Sequence, residues 1–196
     1  MLRVALTGGI ATGKSYVLAR LKHHGIPTID ADDVVHGALG PHTSTATTIA
    51  AQFGTSFVKA DGSIDRALLA THVFAHPESR RQLEAIVHPV VYQIIRNWFD
   101  MLDGALGVAS IPLLYETRRE EDFDVVVVTV CPPDTQVQRL RDRGMSDVEA
   151  RQRMAAQMPA EDKADRGDIV IRTDGTMAET DRQVEDLLLT LADERR

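Results

Sequence analysis

The sequence predicts an α/β fold in which a parallel sheet is flanked by helices, and three observations point to it. Leu2–Thr7, Val125–Val130 and Ile169–Ile171 are dominated by Val, Ile and Leu, and continuous apolar runs of this length suit strands buried on both faces. Near the C-terminus, Val184, Leu187, Leu188 and Leu191 fall at i, i+3, i+4 and i+7, one face of an amphipathic helix. Directly after the first run, Gly8-Gly9-Ile10-Ala11-Thr12-Gly13-Lys14-Ser15 fits G-x-x-x-x-G-K-[ST] in full.

Taken in order, Leu2–Thr7 is the first strand, and a helix carrying Val17, Leu18 and Leu21 follows the glycine-rich loop. Ile26–Ile29 and Leu106–Ile111 are weaker strand candidates. Between them, residues 33–103 break the strand-and-helix rhythm and read as helices joined by short loops. Asp61-Gly62 marks a turn and Pro77 opens a helix. Pro89 suits the first turn of a further helix with Val91, Ile94, Ile95 and Trp98. After Val125–Val130, residues 134–163 form a second unit. It is a helix ending near Gly144, then one opening on the capping box Ser146-Asp147-Val148-Glu149. This unit holds Arg139, Arg141, Arg143, Arg151 and Arg153. Thr176 with Glu179 caps the closing helix. Strands alternating with helices imply right-handed crossovers. The expected organisation is one domain. Its core spans residues 1–32, 104–133 and 164–196, with a helical insertion at 33–103 and an arginine-rich lid at 134–163.

The 196 residues are enough to bury a core, and 43% hydrophobic with 26% charged residues is an ordinary globular balance. A net charge of −7 argues against a general nucleic-acid binder, which needs a basic surface. The single cysteine, Cys131, allows no intrachain disulfide and packs best in the core. The N-terminal apolar stretch is broken too early by Gly8-Gly9 for a signal peptide, and no run approaches the roughly 18 apolar residues of a membrane span. These features predict a cytoplasmic enzyme.

The loop motif predicts ATP binding with Mg²⁺. Its glycines let successive N–H groups face a phosphate, and the helix start adds a favourable dipole. Lys14 supplies a point charge for the β- and γ-phosphates, and the Ser15 hydroxyl ligates Mg²⁺. A GTPase needs Asn-Lys-x-Asp, yet Asn97 is the sole asparagine and Trp98 follows it. A nucleic-acid motor is normally longer and less acidic. A small-molecule kinase remains. Thr28-Ile29-Asp30-Ala31-Asp32-Asp33 ends the second strand, at the sheet edge where ligands of open α/β sheets bind. Asp30 and Asp32, two apart, face one side of an extended chain. A hydroxyl acceptor needs a carboxylate to take its proton, and Asp32 is the candidate, with helix capping as the alternative role of Asp32 and Asp33.

These residues resemble a family. Gly8–Ser15 followed by Ile29-Asp30-Ala31-Asp32 looks like the start of a dephospho-CoA kinase. His88-Pro89, Ile111-Pro112-Leu113-Leu114-Tyr115-Glu116, Arg153-Met154-Ala155-Ala156-Gln157 and Asp168-Ile169-Val170-Ile171 before Asp174-Gly175 are similar to that family's later motifs, in the same order. The resemblance implies a P-loop kinase fold with a helical substrate-binding insertion and a lid. It implies phosphorylation of the ribose 3′-hydroxyl of dephospho-CoA by ATP, giving CoA and ADP. Carried over by position, Asp32 is the base, and Lys14 and Arg139 stabilise the phosphates. Gly8, Gly9, Ile10, Ala11, Thr12, Gly13, Lys14, Ser15 and Tyr16 hold the nucleotide, and Ser15 the metal. Thr7, Asp32, His88, Leu113 and Glu116 meet the substrate. Family members usually have Ser or Thr in place of Tyr16 and Asn near Thr173.

Several of these residues have a second reading. Arg139 and Arg143 share a helix face and suit phosphate through their planar forks, or form a solvated face. His88 contacts substrate or anchors a turn before Pro89. Glu116 meets substrate or is a surface carboxylate before Arg118-Arg119-Glu120-Glu121. Thr7 meets the ribose or finishes its strand. Another nucleoside or sugar kinase, and a nucleotide-binding regulatory module without turnover, stand as alternatives. The expected partner is a small molecule, with no nucleic acid or membrane, on a monomer or small homo-oligomer.

Overall fold

In the computed structural model, which describes residues 1–104 and 106–193, the apolar runs become strands. They are β1 (Leu2–Gly8), β2 (Thr28–Asp30), β3 (Leu106–Ser110), β4 (Val125–Val130) and β5 (Ile169–Arg172). The sheet order is β2-β3-β1-β4-β5. β1 pairs in parallel with β3 and β4, and β4 with β5. Every residue of β3 and β4 is buried, as a strand covered on both faces requires. At the carboxyl edge Leu6 lies opposite Ser110 and Gly8 opposite Thr129, so β1 ends between its two neighbours. The chain runs to one side of β1 for β2 and β3, then to the other for β4 and β5. Such a reversal opens a ligand crevice beyond the strand ends. Residues 105 and 194–196, within the expected core segments, lie outside the described residues.

Helix α1 (Lys14–His23) and helix α9 (Met177–Asp193) cover one face of the sheet. Val17, Leu21, Val184, Leu187 and Leu191 join Val4, Leu6, Val108, Val127 and Ile171 in one buried cluster. Burying each such side chain contributes about 1.5–3 kcal/mol. The Thr176 and Glu179 cap forms: Thr176 N donates to Glu179 Oε2 at 2.6 Å and Glu179 N to Thr176 Oγ1 at 3.2 Å. Helices α6 (Pro133–Asp142) and α7 (Asp147–Ala155) follow β4, and Ser146 and Glu149 make the expected capping box. A short helix, α8 (Ala160–Ala164), is an addition to the sequence reading, since five residues show no periodicity.

The chain divides into two compact units, one of Met1–Thr28 with Leu102–Arg196 and one of Ile29–Met101. The second unit is helical: α2 (Ala31–Ala38), α3 (Ser44–Phe53), α4 (Arg66–Ala75) and α5 (Pro77–Asp100). The first three pack on α5. The Asp61-Gly62 turn forms with Gly62 at φ 82°, and an antiparallel bridge between Val58 and Ile64 closes it.

Pro89 corrects the sequence reading. It lies inside the 24-residue α5 rather than in the first turn of a new helix. An interior proline removes one helical hydrogen bond and costs about 3 kcal/mol. Val87, Val91, Ile95 and Phe99, spaced by four, are all buried along α5. Their packing runs through the proline and offsets that cost, while Pro89 itself and Ala85, whose carbonyl loses its partner, face water. No helix of the described residues is long and apolar enough to cross a membrane.

Candidate active site

The loop after β1 is shaped from outside. Thr12 Oγ1 donates to Gly9 O at 2.8 Å, Gln136 Nε2 to Ile10 O at 2.6 Å, Arg139 Nη1 to Ala11 O at 3.0 Å and Thr173 Oγ1 to Thr12 O at 2.7 Å. Within a trans peptide unit N–H and C=O point in opposite directions. The Ile10, Ala11 and Thr12 carbonyls are held from outside the loop and Gly9 O by Thr12 itself. The loop N–H groups other than Ile10 N, which donates to Gln157 Oε1, and Thr12 N, which donates to Gly9 O, are therefore left available to an anion. Gly13 closes the loop at φ 86°, and a Cβ there would lie 3.1 Å from the Thr173 side chain. Both the conformation and the space demand glycine. Ala11, at φ 61°, takes up a left-handed conformation that non-glycine residues rarely adopt.

Lys14 opens α1, and its Nζ donates to Ser110 Oγ at 2.5 Å. Ser110 ends β3 and is fully buried, so the ammonium is tethered at the carboxyl edge beside the loop. Ser15 is exposed in the first turn of α1. A hydroxyl in that position suits Mg²⁺, which takes one or two protein oxygens and completes its shell with phosphates and water. Among the described residues no group of three or more His, Cys, Asp or Glu side chains is placed to hold a metal.

Arg139 grips the back of the loop. Besides Ala11 O, its guanidinium reaches Thr173 Oγ1 at 3.1 Å, Cys131 Sγ at 3.6 Å and Thr173 O. Its fork thus ties the loop to the residue after β5. Burial pushes the Cys131 thiol up, against the pull of Arg139, which leaves it a buried packing group. Arg139→Ala orphans the Ala11 and Thr173 carbonyls together. We expect kcat to fall on the order of 10²-fold, by analogy with a lost oxyanion donor. Lysine should recover only part, because it lacks the fork. Steady-state kinetics at saturating ATP measures this, and normal turnover in Arg139→Ala would show that its grip on the loop does not serve catalysis.

Three side chains expected at the ligands have partners within the protein. Tyr16, expected on the nucleotide, donates its hydroxyl to Asp181 Oδ1 at 2.7 Å, an oxygen that also pairs with Arg20 at 2.8 Å. The larger side chain reaches across from α1 to α9, where Ser or Thr would be too short. Thr7 is fully buried, and its hydroxyl faces Pro112 O at 3.4 Å. Glu116 accepts from Met158 N at 2.9 Å and pairs with Lys163 Nζ at 2.9 Å. Lys163 is fully buried and also donates to Pro112 O at 2.7 Å. Burial pushes Lys163 below its ordinary value, opposed by Glu116. A buried ammonium requires such partners, and Glu116 therefore clasps the 158–163 segment instead of standing free for substrate. Leu113 is half-buried, with its carbonyl taking Thr117 Oγ1 at 2.7 Å.

Tyr115, between Leu114 and Glu116, has its hydroxyl buried with no hydrogen-bond partner among the described residues and its ring under Arg166 at 4.6 Å. Burial pushes its phenol up to about 12, with Asp168 and Glu120 adding to the rise and Arg166 opposing it. The unfolded tyrosine loses its proton near pH 10. Between there and about pH 12 the folded state holds the extra proton, so stability present below that window is lost as pH rises through it. Tyr115→Phe should flatten this fall by up to about 1.4 kcal/mol per pH unit. Urea unfolding at pH 9 and 11 tests it, and parallel slopes for parent and variant would remove Tyr115 as the source.

In the helical unit, Asp30 ends β2 and caps α2, accepting from Asp32 N at 2.9 Å. This corrects the extended-chain reading of the pair: the helix already starts at Ala31, so Asp30 is the cap and Asp32 stands in the first turn. His88 is half-buried in mid-α5, with no turn before Pro89 to anchor.

Sequence reasoning left Ser110, Gln136 and Lys163 out of the site. A signal existed for Gln136, a polar residue on the buried face of α6 with Val137 and Leu140, and for Lys163 between Ala160 and Ala164. Ser110 gave none.

A loop of inward N–H groups with its lysine, at the reversal point of a five-stranded parallel sheet, defines a P-loop kinase. The chain matches the dephospho-CoA kinase family over residues 2–179 and belongs to it. It is 43% identical over 176 residues to the dephospho-CoA kinase of Anaeromyxobacter dehalogenans, covering 88% of this chain and 83% of that one. It is 36% identical over 188 residues to the dephospho-CoA kinase of Bdellovibrio bacteriovorus, covering 94% of each. The crystal structure of a Thermus thermophilus protein matches it with TM-score 0.83 at 30% identity, over 97% of both chains. The chain is thus a phosphotransferase that uses ATP. The readings as another nucleoside or sugar kinase, or as a regulatory module, give way.

Proposed function

We propose that this chain transfers the γ-phosphoryl group of ATP to the 3′-hydroxyl of the dephospho-CoA ribose, completing coenzyme A synthesis. The observation that carries the chemistry is the loop whose Ile10, Ala11 and Thr12 carbonyls are held from behind, with Lys14 tethered beside it. Loop N–H groups take the phosphate oxygens, and Lys14 leaves Ser110 for the β- and γ-phosphates. Arg139 keeps the loop in shape while charge develops. Ser15 would hold Mg²⁺, which would supply further charge neutralisation when bound. Asp32 accepts the 3′-hydroxyl proton as the O3′–Pγ bond forms. The bond from Pγ to the bridging oxygen breaks, and ADP carries that electron pair away. His88 and Leu113 contact the acceptor, and residues 134–163 act as the lid. The acidic net charge of −7 fits a cytoplasmic enzyme of small molecules, working as a monomer or small homo-oligomer without nucleic-acid or membrane partners.

A coupled ADP-release assay with dephospho-CoA, adenosine, AMP and gluconate tests the substrate. Dephospho-CoA is expected to lead by roughly 10²-fold or more in kcat/KM, the scale on which a missing set of binding contacts is felt. Equal or faster turnover of another acceptor overturns the assignment.

A further inference from the structure

One residue of the loop is held on both sides by glutamines. Ile10 O takes Gln136 Nε2 at 2.6 Å, and Ile10 N donates to Gln157 Oε1 at 2.8 Å. The Ile10 side chain packs with Met145 and Met154 against Leu140 and Ala150 of α6 and α7. Gln157 comes from the segment after α7, 147 residues away in sequence. Its backbone is fixed by Gln157 N donating to Met154 O at 3.1 Å, and the next residue, Met158, is fixed by Glu116 at 2.9 Å.

The orientation of this carboxamide is determined by chemistry. A backbone N–H only donates, so the atom facing Ile10 N is the oxygen, and the NH₂ group occupies the other position. Gln157 Nε2 has no protein acceptor among the described residues, and the side chain is half-buried. A planar amide anchored by its oxygen on the Ile10 N–H therefore carries two unused donors beside the loop. A neutral amide suits this place. It adds donors without adding a full positive charge beside Lys14, Arg139 and the buried Lys163.

We propose that Gln157 is a nucleotide-binding residue, its NH₂ donating to a phosphate oxygen of the nucleotide in the loop while its oxygen stays on Ile10 N–H. This rests on the reading of the loop as the ATP site. The 157–163 segment, held in place by Glu116, thereby adds a side-chain donor to the phosphate cradle.

Two variants separate this role from mere propping of the loop. Gln157→Ala loses the anchor and the donors. Gln157→Glu keeps an acceptor for Ile10 N–H and replaces the donors with a negative charge facing phosphate. The proposal predicts that kcat/KM for ATP and the affinity for ADP both fall about 10-fold or more in Gln157→Ala, the scale of one hydrogen bond to a charged group. Gln157→Glu should fall further, to roughly 10²-fold or beyond, because like charges meet in a desolvated site. If Gln157 only props the loop, glutamate equals or exceeds alanine. Glutamate at or above alanine in ADP affinity, or an unchanged alanine variant, overturns the proposal. ADP binding by calorimetry needs no acceptor, so it judges Gln157 even if the parent proves inactive on dephospho-CoA, which would sink the substrate assignment alone. Far-UV circular dichroism and thermal unfolding without ligand show that both variants are folded.

Discussion

Asp32→Asn is expected to lower kcat by roughly 10²- to 10⁴-fold, the usual worth of general-base catalysis. A ribose hydroxyl holds its proton at neutral pH and is a poor nucleophile until a carboxylate orients it and accepts that proton. Asparagine preserves size and one acceptor oxygen but cannot take the proton. Asp32 stands in the first turn of α2, directly after β2, in the order of elements that brings strand ends to a ligand edge. Phosphoryl transfer depends largely on positioning and charge, which sets the lower end of the range. Asp30 is an informative control. Its carboxylate caps α2 through Asp32 N, and asparagine caps a helix as well as aspartate. Asp30→Asn should therefore retain kcat within a few-fold. Steady-state kinetics on both variants, with ATP binding measured separately, decides the matter. Loss of turnover in Asp30→Asn with Asp32→Asn near the parent means that the base is the other carboxylate.

Lys14→Ala is expected to remove measurable turnover, a loss of at least about 10³-fold at saturating ATP, at the upper end of what one lost charge-stabilising donor costs. The effect is so large because the ammonium is a point charge close to the phosphates in a partly desolvated site. No neighbour replaces it: Arg139 is bound to Ala11 and Thr173, and Lys163 to Pro112 and Glu116. The fold should persist. Val17 and Leu21 carry the packing of α1, and alanine is a better helix former than lysine. A parallel thermal unfolding curve checks this. A folded Lys14→Ala enzyme with unchanged turnover would remove the loop from the mechanism.

The parts legible in the sequence are those in which local pattern and tertiary role agree. β4 and most of β1 are buried and so read as runs dominated by apolar residues. The loop motif fixes a strand, a turn and a helix within one short segment, and the capping pairs at Ser146 and Thr176 act within one turn. The parts that were not legible depend on distant partners. Thr173 holds Thr12 across 161 residues, Gln136 holds Ile10 across 126, and Lys163 meets Glu116 across 47. Each is a polar residue whose meaning lies in what it touches. Pro89 misleads for a related reason, since burial of Val87 before it and of Val91, Ile95 and Phe99 after it overrides its local preference. Tyr16 shows the converse: at a position expected to hold a short hydroxyl side chain, a longer one reaches Asp181 of α9.

The central claim is a phosphoryl transfer from ATP to one hydroxyl, and the product tests it most directly. Incubation with ATP, Mg²⁺ and dephospho-CoA, followed by ³¹P NMR and mass spectrometry, is predicted to show one new phosphate monoester on the ribose 3′-oxygen, formed in equal amount with ADP. A phosphate on any other oxygen, or ADP released with inorganic phosphate and no modified dephospho-CoA, contradicts the account.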